Sequence, residues 1–91
     1  MTKVQSKVLI DFYADWCSPC IAMEPILNEI EQHFQKELEV VRVDIDENKT
    51  LAKNFRIRSV PTLILFDNGE EVWRKSGLLT KRDITEVLQS H

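Results

Sequence analysis

The strongest constraint on the fold is a short apolar run that leads, within a few residues, into an amphipathic helix. The run KVLIDFYA, Lys7–Ala14, is rich in β-branched and aromatic residues and is typical of a buried strand. After Pro19, apolar residues recur at helical spacing and form one stripe, which consists of Met23, Ile26, Leu27, Ile30 and Phe34. The sequence therefore predicts a strand followed by a helix, with Pro19 in the first turn of that helix.

Three more strands are predicted farther along the chain. LEVVRVDID, Leu38–Asp46, and PTLILF, Pro61–Phe66, are apolar runs of strand length. The dipeptide Asn68-Gly69 is a strong signal for a two-residue hairpin turn. The strand that returns from this turn, EVWRKS, is more polar and is expected at an edge of the sheet.

Two further helices complete the predicted fold. A short one is expected around Thr50–Phe55, with Leu51 among its inward-facing residues. The last is marked by Thr80 and Asp83, which resemble a capping box. The order β-α-β-α-β-β-α predicts an α/β protein with a mixed four-stranded sheet flanked by helices on both faces, and its first half forms a right-handed parallel βαβ unit. At 91 residues, the chain is expected to form one domain, residues 1–91.

Composition and charge exclude several classes of function. The net charge is −3 and the charges are scattered, so the chain lacks the basic surface that nucleic-acid binding requires. No apolar run approaches the roughly 20 residues of a membrane-spanning helix. The first residues, MTKVQSKVLIDFY, also lack the apolar stretch of roughly 7–15 residues that marks a secretory signal. We therefore expect a cytoplasmic protein without nucleic-acid or membrane partners.

The reactive side chains are concentrated in DWCSPC, Asp15–Cys20, which holds the only two cysteines of the chain. A disulfide between Cys17 and Cys20 closes too small a loop to constrain the unfolded chain, so a purely structural bridge is a weak explanation. Cys17, Cys20 and His33 match the first part of a zinc-finger spacing. No fourth ligand follows at the required distance, since the only other histidine is His91. We therefore expect no bound metal.

A reactive pair explains the two cysteines best. Cys17 is predicted at the N-terminus of the first helix, where free backbone N–H groups and the helix dipole favour an anion. A thiolate is such an anion, so the pKa of Cys17 is expected to be lowered. Cys20 follows one helical turn later, within reach of the first sulfur, and is expected to be less exposed. Cys17 is then predicted to attack a disulfide, and Cys20 to resolve the mixed disulfide that results.

Several separated motifs, in this order, resemble the thioredoxin family from Val8 to Leu88. They are VLIDFYADWCSPCIAMEPIL, VVRVDIDEN, IRSVPTLILFDNGEEV and Gly77. The resemblance implies a thioredoxin fold and reduction of protein disulfides by thiol-disulfide exchange. It implies no cofactor other than the redox-active Cys17–Cys20 disulfide, and a flavoprotein thioredoxin reductase as electron donor.

The resemblance also assigns further site residues. Asp11 matches the buried acid beneath the redox pair, and Arg42 stands where the family usually has a lysine near that acid. Pro61 matches a cis-proline that faces the cysteines. The apolar collar that binds substrate chains corresponds to Trp16, Val60, Pro61 and Gly77. The sequence supports the role of Asp11 directly, because a carboxyl group that interrupts an apolar strand is expected to have a raised pKa.

Three features depart from the family pattern. Ser18 replaces the usual glycine between the cysteines; with Pro19 it is expected to tune the redox potential, and its hydroxyl is expected to cap the helix. Ile21 replaces a common lysine and makes the rim more apolar. Only about seven residues precede the first strand, so we expect a trimmed fold whose strand at Leu38–Ile45 is an exposed edge. A monomer is expected, and this edge leaves a dimer as the alternative.

Two other functions remain open from the sequence. The alternatives to a general protein-disulfide reductase are a dedicated electron carrier, oxidase or isomerase for one partner, and a module that only binds extended peptides. The intact cysteine pair argues against the binding module, because binding alone requires neither thiol.

Overall fold

The strands and helices follow one another in the predicted order. The computed structural model describes residues 6–91. Its elements are β1 (Lys7–Tyr13), α1 (Ser18–His33), β2 (Leu38–Asp44), α2 (Lys49–Asn54), β3 (Thr62–Asp67), β4 (Glu70–Ser76) and α3 (Lys81–Ser90). Within this described range, no helix combines the length and the apolar character needed to cross a bilayer.

The four strands form one mixed sheet in the order β2-β1-β3-β4. β1 and β2 run parallel and are connected through α1, whereas β3 lies antiparallel to both β1 and β4. In the described part of the chain, β2 and β4 are therefore the two edges, and β1 and β3 are central. The predicted α/β architecture is confirmed.

Each face of the sheet has its own apolar core, because side chains alternate along each strand. On one face, Leu9 of β1 packs with residues of β3, α1 and α3, which include Leu65, Met23, Leu27, Ile30, Ile84 and Leu88. On the other face, Phe12 and Ile64 pack against Phe55, which follows α2. Helices thus cover both faces of the sheet, as predicted.

The predicted turn and cap signals are also confirmed. Asn68 and Gly69 have φ values of 52° and 82°, the left-handed backbone that a tight two-residue hairpin requires. The hydroxyl of Thr80 accepts the N–H of Asp83 at 3.0 Å, and the Asp83 carboxylate accepts the N–H of Thr80 at 3.0 Å. This reciprocal capping box starts α3 one residue after Thr80.

The prediction for Leu51 was wrong. This residue is 38% exposed, whereas Ala52 is buried. Because α2 has only six residues, a single narrow face of it meets the sheet. Ala52 and Phe55, three residues apart, occupy that face, and Leu51 lies outside it.

Leu27 and Leu51 test this assignment of the core by a matched pair of substitutions. Leu27 is fully buried between α1 and the sheet, so Leu27→Ala is expected to lower the free energy of unfolding by about 2–5 kcal/mol. Leu51→Ala removes the same atoms from an exposed site and is expected to cost less than about 1 kcal/mol. Urea denaturation of both variants measures the difference. Equal losses would contradict the assignment.

Candidate active site

The passage from β1 into α1 positions the first cysteine. β1 ends at Tyr13, and Cys17 occupies the N-cap of α1 with an extended backbone (φ −96°, ψ 106°). The sulfur of Cys17 accepts the backbone N–H of Cys20 at 3.2 Å, so the side chain itself caps the helix. The predicted position of Cys17 is confirmed. The expected cap by the Ser18 hydroxyl was wrong, because Ser18 is already the first helical residue.

Cys17 and Cys20 form a disulfide with their Cα atoms 5.2 Å apart. Both residues are nearly buried, with 5% and 3% exposure, so the expected difference in their accessibility is small in this oxidised form. Ser18 and Pro19 lie exposed between them in the first turn of α1. The two sulfurs are therefore held on a helical turn whose outer side faces solvent.

The segment that faces the cysteines is Ser59–Thr62. The Val60–Pro61 peptide bond is cis, as the family resemblance implied. The carbonyl oxygen of Val60 lies 3.6 Å from the sulfur of Cys17. Val60 therefore borders the reactive sulfur directly, although 43 residues separate it from Cys17 in sequence.

Two contacts attach this segment to the end of β4. The N–H of Gly77 donates to the carbonyl of Pro61 at 2.9 Å, and Gly77 has a φ of 101°, which favours glycine. The hydroxyl of Thr62 donates to the carbonyl of Ser59 at 2.7 Å and lies 2.8 Å from the hydroxyl of Ser76. The sequence did not single out this hydroxyl pair, since serine and threonine carry no signal of a partner so far away.

Trp16 forms an exposed rim beside the disulfide. Its side chain is 68% exposed, as expected for a contact surface, and its indole N–H donates to a carboxylate oxygen of Asp46 at 2.9 Å. Ile21 and Leu78 are also large, exposed apolar residues, adjacent in sequence to Cys20 and Gly77. Asp46 was missed by the sequence analysis because it follows β2, far along the chain from Trp16.

Asp11 lies on β1 and borders the same cavity as Cys20. It is 2% exposed, and its Oδ1 atom is buried without a hydrogen-bond partner among residues 6–91. Burial is the main cause that raises the pKa of Asp11 from 3.8 to about 6, since a buried carboxylate loses its hydration. The cation of Arg42 opposes this rise and the anion of Glu24 adds to it. The predicted direction of the pKa shift is confirmed.

Asp11 and Cys20 both line a cavity of about 390 Å³. It is lined by Asp11, Tyr13, Ala14, Asp15, Cys20, Ile21, Glu24 and Arg42. The Arg42 guanidinium donates to the Asn28 side-chain oxygen at 2.7 Å and to the backbone carbonyl of Glu24 at 3.5 Å. Neither Asn28 nor Glu24 was singled out by the sequence, because only the packing of α1 on β2 brings them to Arg42.

His33 lies far from the cysteine pair. It is in the last turn of α1, whose N-cap is Cys17, so the rise of the helix separates the two residues by about 24 Å. The zinc-finger spacing of Cys17, Cys20 and His33 therefore does not correspond to a cluster in space. The expected absence of a metal stays a prediction.

The chain is similar to thioredoxins along nearly its whole length. The family model described as Thioredoxin matches residues 1–90. Thioredoxin 1 of Nostoc sp. is 39% identical over 84 residues, which are 92% of this chain and 78% of that protein. A thioredoxin of Staphylococcus aureus is 37% identical over an alignment of 91 positions that covers 99% of this chain and 88% of that protein. A solved mutant thioredoxin from Halobacterium salinarum NRC-1 has a TM-score of 0.88 at 40% identity, covering 94% of this chain and 74% of that one.

The raised pKa of Asp11 predicts how stability depends on pH. Well below pH 3.8, Asp11 is protonated in both the folded and the unfolded state, so the stability that its protonated form contributes is fully present. Between 3.8 and about 6 the unfolded chain ionises first, so the free energy of unfolding falls by as much as about 3 kcal/mol as pH rises.

Asp11→Asn removes this titration and tests the prediction. The variant is expected to gain stability relative to the wild type as pH rises from 3 to 8, by as much as about 3 kcal/mol. Urea denaturation of both proteins at several pH values gives the difference. A difference that is constant with pH would contradict a raised pKa at Asp11.

Proposed function

This chain belongs to the thioredoxin family and is a protein-disulfide oxidoreductase, and from that premise we propose that it reduces protein disulfides by attack of Cys17 and resolution by Cys20. The observation that carries these roles is the position of Cys17 as the N-cap of α1. Its sulfur accepts the N–H of Cys20 and lies at the positive end of the helix dipole. Both effects favour a thiolate at Cys17, and the thiolate is the nucleophile.

The exchange proceeds in two steps. The Cys17 thiolate attacks one sulfur of a substrate disulfide, the substrate S–S bond breaks, and the other substrate sulfur leaves as a thiolate. The Cys20 thiolate then attacks the sulfur of Cys17 and releases the second substrate thiol. The substrate gains two electrons, and the protein ends with the Cys17–Cys20 disulfide that the structure contains.

Asp11 is the proton acceptor for Cys20 in the second step. Cys20 is nearly buried and must lose its proton before it attacks. The cavity that both residues line provides the route between thiol and carboxylate, and it is large enough to hold water. A pKa of about 6 makes the Asp11 carboxylate available at neutral pH and strong enough as a base to accept a proton.

The substrate segment binds across Val60 and Pro61. The Val60 carbonyl adjoins the Cys17 sulfur, so an extended chain that pairs with the Val60 backbone places its own disulfide near the nucleophile. Trp16, which is exposed and precedes Cys17, and Gly77, whose N–H donates to the carbonyl of Pro61, complete the apolar collar in this proposal. In this proposal, three residues tune the redox potential of the cysteine pair. Ser18 and Pro19 act from the first turn of α1, and Arg42 acts from the wall of the cavity.

The electron donor in this proposal is a flavoprotein thioredoxin reductase, and the compartment is the cytoplasm. Both proposals rest on the thioredoxin relatives of this chain. The disulfide itself carries the electrons, so the exchange requires no metal or organic cofactor. No contact among the described residues of the site favours a specialised carrier, an oxidase, an isomerase or a module that only binds peptides.

Trapping of mixed disulfides tests the two cysteine roles. Cys20→Ser retains the attacking thiol but cannot resolve the intermediate, so it is expected to accumulate covalent complexes with a disulfide-containing protein such as insulin. Cys17→Ser is expected to form none and to lose insulin reduction entirely. Non-reducing electrophoresis detects the complexes, and trapping through Cys20 instead would reverse the assignment.

The reactivity of the reduced Cys17 tests the helix-cap argument. Iodoacetamide is expected to modify Cys17 at acidic pH faster than it modifies free cysteine, because the helix start holds its sulfur as a thiolate. Mass spectrometry of the modified peptide against pH gives the rates. Equal rates for Cys17 and free cysteine below pH 7 would contradict the argument.

A further inference from the structure

Arg42, which lines the cavity shared by Asp11 and Cys20, is anchored to α1 by a hydrogen bond. We propose that Asn28 is a positioning residue that holds the Arg42 guanidinium at the mouth of this cavity, and that it thereby governs proton exchange by Asp11. The inference rests on the proposed role of Asp11 as proton acceptor. It assigns a part in the reaction to a residue that touches neither the cysteines nor the substrate.

The anchor is a short hydrogen bond between α1 and β2. Asp11 and Arg42 are paired neighbours on the parallel strands β1 and β2, so their side chains leave the same face of the sheet. The Arg42 side chain extends to α1, where Asn28 Oδ1 accepts its Nη2 at 2.7 Å. A charged donor makes this bond strong for an exposed site. The second contact, to the carbonyl of Glu24 at 3.5 Å, is at the limit of hydrogen bonding.

The position of the guanidinium matters because Arg42 does not form an ion pair with Asp11. The three salt bridges within the described residues involve other side chains, and Asp11 Oδ1 has no partner. Arg42 therefore acts on Asp11 only through the Coulomb field, which weakens with distance and with surrounding water. Arg42 is exposed and has a long side chain, so without the anchor its guanidinium would adopt many positions in solvent.

Charged and titratable groups from several elements face Asp11. Glu24 approaches from α1 and its charge opposes that of Arg42. Tyr13 and Asp15 line the cavity from β1 and the loop after it, and Cys20 lines it from α1. Asn28 lies one helical turn after Glu24, so the anchor holds the guanidinium against the part of α1 that carries Glu24. The proton affinity of Asp11 then depends on a fixed arrangement of opposing charges.

The proposal differs from a purely structural role for Asn28. A side chain that only joins α1 to β2 would change the stability of the fold when removed, without changing the titration of Asp11. A positioning role through Arg42 changes that titration in a definite direction. The Arg42 cation favours ionised Asp11, so loss of the anchor raises the pH at which Asp11 titrates.

The test is the titration of the Asp11 side-chain carboxyl, followed by ¹³C NMR in the oxidised protein, where the cysteines do not titrate. The variants are Asn28→Ala, Arg42→Gln and the double variant. Each single variant is expected to raise the midpoint by about half a pH unit, less than the one to three units of a direct ion pair. The double variant is expected to match Arg42→Gln alone, since both changes remove the same charge effect.

Two outcomes would overturn the proposal. One is a midpoint in Asn28→Ala that equals or falls below the wild-type value. The other is an Asn28→Ala shift that persists undiminished in the Arg42→Gln background, because Asn28 would then act without Arg42. Gln32→Ala is the matched control: it removes an exposed amide one turn later on α1 and is expected to leave the midpoint unchanged. Asn28→Ser serves as a second variant if Asn28→Ala does not fold.

A kinetic measurement separates this proposal from the role of Asp11 itself. The rate at which Cys20 resolves a preformed mixed disulfide is measured against pH, and its midpoint is expected to follow the NMR midpoint in each variant. If Asp11→Asn left this rate unchanged, the proton-acceptor role would fail, and with it the governing of proton exchange by Asn28. The NMR titration would still decide whether Asn28 positions Arg42.

Discussion

The start of α1 is the constraint on which the active site depends. A helix leaves its first N–H groups without partners, and here the sulfur of Cys17 accepts one of them, from Cys20. The reactive atom is therefore also the atom that caps the helix. Because one helical turn separates Cys17 from Cys20, the same start brings the two sulfurs together. A shift of the helix start by one residue would lose the cap and the sulfur geometry together.

The packing of α1 creates the second part of the site, which is the buried carboxyl group of Asp11. The apolar stripe of α1 packs on the face of β1 that carries Leu9 and Asp11, so the helix that presents the cysteines also covers the carboxyl. Burial without a full set of partners is costly, and the raised pKa of Asp11 is its direct result. Arg42 and Glu24, from β2 and α1, then adjust that pKa in opposite directions.

The antiparallel half of the sheet supplies the opposite wall. Phe12, near the end of β1, pairs with Thr62 at the start of β3, and Thr62 pairs with Ser76 at the end of β4. This register brings the end of β1, the start of β3 and the end of β4 together at the same end of the sheet. Val60 reaches the Cys17 sulfur and Gly77 reaches Pro61 only because these strand ends coincide. The hydroxyl contact between Thr62 and Ser76 joins the two segments of this wall.

Local patterns in the sequence determined the elements, their order and the reactive pair. Strand and helix periodicity, the Asn68-Gly69 turn and the two cysteines at a helix start depend on residues close together in the chain, so they can be read from it. The tertiary structure alone decided which distant side chains meet: Asp46 at Trp16, and Asn28 at Arg42. It also left Leu51 exposed, because a short helix offers the sheet only one narrow face. Contacts between distant residues follow from register and packing, and no local pattern encodes them.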